Sequence, residues 1–126
     1  MTHYMLRLHQ GPGNMADLPR DKMMEIVGRY YTWSDKLRKS GKLVGGEKLT
    51  DGGGRHIKVK DGKPLASDGP YAEVKDVISG YFTIDAKDAA EAEALARECP
   101  HLWNDSNWIE LRPVDVMAAP QAKAAG

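Results

Sequence analysis

From His3 to Leu8 the chain alternates Tyr4, Leu6 and Leu8 with Met5 and Arg7, a period of two that predicts a strand. Gln10-Gly-Pro-Gly-Asn14 ends it, because two glycines and a proline cannot carry a pairing ladder. The period then changes. Met23, Ile26, Val27, Tyr30, Trp33 and Leu37 recur at spacings of three and four, which predicts a helix from Leu18 to Ser40. Asp17 is its expected N-cap, Pro19 falls in its first turn, and Gly41 suits the left-handed position past its end. Leu43–Leu49 is a second strand, in which Gly45-Gly46 marks a bulge or a close backbone approach. After the loop Asp51-Gly-Gly-Gly54, His56–Lys60 is a third strand that turns at Asp61-Gly62 into a short return through Leu65. Ser67-Asp-Gly-Pro70 breaks the chain again. Ile78–Ile84 is the strongest strand. Asp85 is the expected cap of a second helix, with Asp88 three residues on, Pro100 just past its end, and Ala89, Ala92, Leu95, Ala96 and Cys99 on its inner face. Trp108–Arg112 is the last strand, stopped by Pro113.

Two strand–helix–strand units around a hairpin excursion predict an α+β domain: one mostly antiparallel sheet with both helices on one face. Leu, Ile, Tyr, Phe and Trp on the strands would then leave an apolar patch on the other face, too large for a soluble monomer. A second copy packed sheet to sheet covers it, with Tyr81 and Phe82 at the seam. With 126 residues, 41% of them hydrophobic, the chain suits one domain with one core. That domain is expected over residues 1–114, followed by a disordered Ala- and Pro-containing tail over 115–126.

Charge and cysteine content remove several functions. Eighteen Lys and Arg balance eighteen Asp and Glu, which argues against a dedicated nucleic-acid binder. No apolar run approaches the roughly 18 residues of a bilayer span, and the N-terminus lacks the apolar core of a signal peptide. The single cysteine, Cys99, has no internal disulfide partner, so a cytoplasmic location is expected. His3 and His9 lie about 20 Å apart along one strand at ~3.3 Å per residue and cannot share an ion. Cys99 and His101 lack a second pair at ligand spacing, so no metal is expected. Gly52–Gly54 lacks the Lys-Ser/Thr of a phosphate loop, so no nucleotide cofactor is expected either.

Asp68-Gly-Pro-Tyr-Ala-Glu-Val-Lys-Asp76, with Gly80-Tyr-Phe-Thr-Ile84, Glu98-Cys-Pro100 and Ile109-Glu-Leu-Arg-Pro-Val114, resembles the DGPF branch of the YCII-related proteins. The resemblance runs from about Tyr4 to Val114. It implies a ferredoxin-like βαββαβ domain that dimerises through its sheet into an α+β barrel, with a biochemical role that is mostly unassigned. Distant relatives of that fold include muconolactone isomerase-like and dehydrochlorinase enzymes, so acid–base chemistry on a small metabolite enters by analogy. Two positions depart from the family pattern. Tyr71 stands where the signature has Phe. Tyr30 stands where YCII proteins carry a first-helix His paired with an Asp.

Asp68 is the leading candidate for a general base, provided desolvation raises its pKa; the plain alternative is an Asp that caps a turn. His9, at the outgoing end of the first strand, and Tyr30 are candidates for the second proton-transfer group, against an exposed histidine and a core tyrosine. Tyr71, Glu73, Lys75 and Arg112 are candidates to hold a polar or aromatic ligand, with the two cations receiving an anionic group. Two readings stay open. One is an acid–base enzyme of the lyase or isomerase kind that needs neither metal nor nucleotide. The other is a non-catalytic, ligand-binding or regulatory homodimer. Two titratable groups converging on one void would favour the first.

Overall fold

A computed structural model describes residues 2–11, 15–50, 54–68 and 77–115, with Asp68 described by its backbone alone. The 116–126 part of the expected tail, and residues 69–76 of the signature, lie outside the described residues. The elements follow the alternating and helical periods. They are β1 (Thr2–Gln10), a 3₁₀ turn (Met15–Asp17), α1 (Arg20–Lys39), β2 (Leu43–Lys48), β3 (Arg55–Lys60), β4 (Lys63–Asp68), β5 (Val77–Ala86), α2 (Ala89–Arg97) and β6 (Trp108–Pro113). Four strands form one sheet in the order β2-β5-β1-β6, with every pair antiparallel; β3 and β4 form a separate hairpin.

Both helices cover the same face. Tyr4, Leu6 and Leu8 of β1 and Ile84 and Ala86 of β5 pack with Trp33 and Leu37 of α1 and with Ala92, Ala96 and Cys99 of α2. Leu6, Leu37 and Ile84 are almost wholly buried, each stabilising the fold by about 1.5–3 kcal/mol. The small side chains of α2 allow close approach to the sheet. Its helix is tied to α1 by the Trp33 indole, whose Nε1 donates to the Leu95 carbonyl at 3.1 Å. The same ring meets Phe82 edge-on at 5.0 Å between centroids.

Both cap assignments shift by a few residues. Asp17 ends the 3₁₀ turn, and α1 starts after Pro19, which offers no side-chain cap. Asp85 remains in β5 and Asp88 caps α2, accepting from Glu91 N at 2.9 Å, while the Glu91 carboxylate accepts from Lys87 N. The bond from Lys87 N, with the Lys42 ammonium beside the carboxylate, holds the Glu91 carboxyl below its usual range. The helix therefore begins late enough to leave Ala89 exposed rather than on the inner face.

The glycine expectations hold in detail. Gly41 has φ +73°, the left-handed position after α1. In β2 the pairing slips between Leu43 and Gly45, and a Cβ on Gly46 would sit 2.6 Å from Phe82 Cδ1 and 2.7 Å from Tyr81 O, so the pair provides a bulge and a close approach together. At the hairpin turn Asp61 and Gly62 both have positive φ, 52° and 78°, as a two-residue type I′ turn requires. The return strand is longer than its sequence suggests. Ser67 and Asp68 extend β4, with Asp68 opposite Arg55 in the ladder, so the break comes after Asp68.

The largest correction concerns the uncovered face. Phe82 and Ile84 pair with Leu6 and Tyr4 on the helix side of the sheet. Tyr81 points the other way by alternation, so Tyr81 and Phe82 cannot share a seam. Most of the central strands' large aliphatic residues serve the one core, and the face without helices is mixed, with Arg7, Glu47, Thr83, Glu110 and Arg112 beside Met5, Tyr81 and Trp108.

Candidate functional site

Register alone builds a surface on that face. Glu47 of β2, Tyr81 of β5, Arg7 of β1 and Glu110 of β6 stand opposite one another in a single rung across all four strands. Arg7 Nη1 donates to Glu110 Oε1 at 2.6 Å, each side chain little more than one-third exposed. The Tyr81 hydroxyl donates to Glu47 Oε1 at 3.4 Å. One rung toward the N-terminus of β1 are Thr83, Met5 and Arg112, and beyond them His3 meets Asp85 at 3.4 Å. One rung the other way are Ile78, His9 and Trp108.

His9 is buried, and its imidazole stacks on the Trp108 indole with ring centroids 3.8 Å apart and planes 13° from parallel. Its main-chain carbonyl accepts from His101 Nε2 at 2.8 Å. That bond fixes a proton on Nε2 of a histidine that burial itself biases toward the neutral form. Asn107 completes the cluster: its Nδ2 donates to the His101 carbonyl at 3.0 Å, and its buried Oδ1 has no donor among the described residues. The turn is locked by Asn104 Oδ1, which accepts from Ser106 N, Ser106 Oγ and Asn107 N. Gly11 lies against it so closely that a Cβ would fall 2.5 Å from Ser106 O.

A bulge aims this end of the sheet. Between Leu8 and His9 the partner strand steps from Gly80 to Ile78, leaving Ser79 as the extra residue, with its hydroxyl donating to the Leu8 carbonyl at 3.3 Å. Val77, where the chain leaves the Asp68–Asp76 segment, consequently pairs with Gln10 beside His9.

Of the candidates from sequence, His9 lies in this site. Tyr30 does not. It sits on the sheet-facing stripe of α1, half-buried against the core on the opposite side of the sheet, and desolvation pushes its phenol above the usual range, with the Cys99 thiol adding to the effect. Arg112 is exposed on the uncovered face but stands opposite Met5, four residues from Trp108 and so roughly 13 Å along the strand at ~3.3 Å per residue. Asp68 is placed by its backbone at the end of β4. Tyr71, Glu73 and Lys75 lie outside the described residues. The residues that sequence reasoning misses are Glu47, Arg7, Glu110, Tyr81 and Trp108. A signal for two of them is present: Arg7 falls between Leu6 and Leu8, and Glu110 between Ile109 and Leu111, so both are charges at mid-strand on a face that is not core.

The surface suits a small planar anion. An arginine fork presents five N–H donors, enough to hold a carboxylate beyond the bond to Glu110. The Trp108–His9 stack offers an aromatic wall about 6.6 Å away, the spacing of alternate residues along a strand. Glu110, Glu47, Tyr81 and His9 supply the carboxylate, phenol and imidazole types that general acid–base chemistry uses. Among the described residues no group of His, Cys, Asp and Glu is placed to hold a metal ion, and no helix is long and apolar enough to cross a membrane.

A family model for the YCII-related domain matches residues 2–117. None of the curated proteins compared with the chain matches it.

Proposed function

Because the chain belongs to the YCII-related domain family, we propose that it is a DGPF-type member that performs acid–base chemistry of the lyase or isomerase kind on a small, carboxylate-bearing metabolite, without metal or nucleotide. The observation that carries this reading is the polar rung itself. A 2.6 Å Arg7–Glu110 pair, next to a stacked His9 and Trp108, occupies a sheet face that neither helix covers. A face used only for packing would not need it, because an exposed ion pair contributes about 0–1 kcal/mol to stability.

In this reading the strand order β2-β5-β1-β6 is the ferredoxin-like sheet, and two copies meet face to face as a dimeric α+β barrel in the cytoplasm. Because the face carries the Arg7–Glu110 pair, its closure makes a solvated chamber rather than a dry seam. Arg7 anchors the substrate carboxylate, and Trp108 stacks on its planar part. Glu110, freed from Arg7 as the substrate arrives, or Asp68 on the signature segment, takes a proton from the carbon beside an electron-withdrawing group. His9 returns a proton to the product, and Tyr71, Glu73 and Lys75 remain candidates to hold the ligand.

The test does not depend on the identity of the substrate. Thermal-shift and calorimetric screens with benzoate, succinate and 2-oxo acids should show stabilisation that Arg7→Ala abolishes. Deuterium exchange at the carbon next to the bound carboxyl or keto group, followed by NMR, should be catalysed by the parent protein. It should be lost in Glu110→Gln or Asp68→Asn, with binding retained. Ligand binding with no exchange would leave the non-catalytic reading. An unchanged response in Arg7→Ala would remove the site from this face.

A further inference from the structure

Toward the N-terminus of β1, one rung past Arg7, the uncovered face holds a second patch that the reading above leaves unused. Met5 is its centre, with Thr83 and then Gly45 on one side and Arg112 on the other. The floor is low and open. Nothing lies within 4 Å of a Cβ added to Gly45, and Thr83 brings a small side chain with one hydroxyl. Polar pairs bound the patch at both ends, Arg7 with Glu110 and His3 with Asp85.

Arg112 differs from the other charged side chains that the described residues place on this face. Each carboxylate there is turned to a partner: Glu110 to Arg7 at 2.6 Å, Glu47 to the Tyr81 hydroxyl at 3.4 Å and Asp85 to His3 at 3.4 Å. The Arg112 guanidinium has neither an ion pair nor a hydrogen bond with any described residue. It stands opposite Met5 and so diagonal to Arg7, roughly 7–8 Å away between backbones and within reach of two long side chains. Two guanidinium groups this close repel each other unless anionic groups lie against them, and one carboxylate on Arg7 leaves the second fork empty.

We propose that Arg112 is a specificity-determining residue and that the substrate is a dicarboxylate, with one carboxylate on Arg7 and the second over the Met5 patch on Arg112. This rests on the reading above, in which Arg7 anchors a carboxylate, and narrows its substrate class. Trp108 lies one rung from Arg7 in the opposite direction. The order Trp108, Arg7, Arg112 along the face therefore calls for both carboxylates at one end of the molecule and the flat part at the other. The Thr83 hydroxyl is the second donor available to the outer carboxylate. A monocarboxylate fills half of this site.

Calorimetric titrations of two matched pairs, succinate with butyrate and isophthalate with benzoate, test it. Ionic strength is held constant, because salt screens both contacts. The parent protein should bind each dicarboxylate roughly tenfold tighter than its monocarboxylate counterpart, the gain of one charge-assisted contact. In Arg112→Gln that ratio should fall toward one. Arg112→Lys, which keeps the charge without the fork, should restore part of it. Arg112 is exposed and outside the core, so both variants keep the fold, checked by circular dichroism. A parent ratio near one, with benzoate binding that is lost in Arg7→Ala, overturns the proposal and leaves the Arg7 site standing; Arg112 is then a solvated edge-strand cation. A ratio that survives Arg112→Gln also overturns it, because the second carboxylate then sits elsewhere. Failure of all four acids to bind overturns both.

Discussion

Gly45 and Gly46 are neighbours in β2 whose replacement by alanine should have opposite effects. Both have ordinary negative φ, and alanine at either restricts the unfolded chain by the same amount, so that contribution cancels when the two variants are compared. At Gly45 nothing lies within 4 Å of an added Cβ. Relief of glycine's entropy alone should stabilise Gly45→Ala by about 0.5–1 kcal/mol. At Gly46 the Cβ would stand 2.6 Å from Phe82 Cδ1, 2.7 Å from Tyr81 O and 3.2 Å from Phe82 Cα. Two of those atoms are backbone of the paired strand, so a rotamer change cannot relieve the clash. Phe82 is itself held edge-on by Trp33. Strand β2 must lift, at the overpacking cost of about 1–3 kcal/mol. Because the entropic gain is common to both variants, the expected gap between them is the overpacking cost, roughly 1–3 kcal/mol, or a difference in Tm of about 4–12 °C at ~4 °C per kcal/mol for a domain of this size. Thermal melts at equal protein concentration, with urea titrations to confirm an unchanged m-value, measure it. Equal melting temperatures for the two variants would refute the close approach of β2 to Tyr81 and Phe82.

Three further outcomes follow from the same geometry. Trp33→Phe should cost about 1–2 kcal/mol in urea denaturation, because it leaves the Leu95 carbonyl without the indole donor that ties the two helices. His101 is biased toward neutrality chiefly by burial, so its folded pKa lies below the unfolded value near 6.5; its contribution is present in full above that value and is lost as pH falls from there toward the folded pKa, and the pH dependence of Tm over this window should flatten in His101→Gln. The Cys99 thiol, pushed up by burial to about 11, should resist a thiol-reactive dye at pH 8 in the folded protein and react fully in denaturant; native labelling at the unfolded rate would place it outside the core.

Much of this fold is readable in the sequence because the relevant signals are local. Tyr4, Leu6 and Leu8 declare a half-buried strand, the Ile26–Trp33–Leu37 spacing declares a helix face, and Asp61-Gly62 admits little besides a hairpin turn. The caps are harder to read where two acidic residues compete. Asp85 and Asp88 are chemically alike, and what decides between them is the length of β5, set by its pairing with β1 down to Thr2 opposite Ala86. The site is only partly legible for a similar reason. His9 can be placed because a strand end followed by Gly-Pro-Gly is a local feature. The rung of Glu47, Tyr81, Arg7 and Glu110 is drawn from four distant segments and exists only through register. Tyr30 misleads because a tyrosine at helical spacing gives the same pattern whether its hydroxyl ends in a cleft or beside Cys99.

The position of β1 also bears on how the chain comes to be folded. It is the first of these elements to leave the ribosome and a central strand of the sheet, and its neighbours begin only at Val77 and Trp108. At roughly 5–20 residues per second, several seconds pass between its synthesis and the arrival of β5, and longer before β6. Through that interval both of its edges are open and Tyr4, Leu6 and Leu8 have no sheet to complete. The α1 helix, made immediately afterwards, is the only early partner able to shelter them. Assembly of the sheet is then dominated by contacts of high sequence separation, the kind that close slowly. Truncation before Trp108 would leave β1 with one edge permanently bare, so the yield of folded protein should depend on the last strand far more than its six residues suggest.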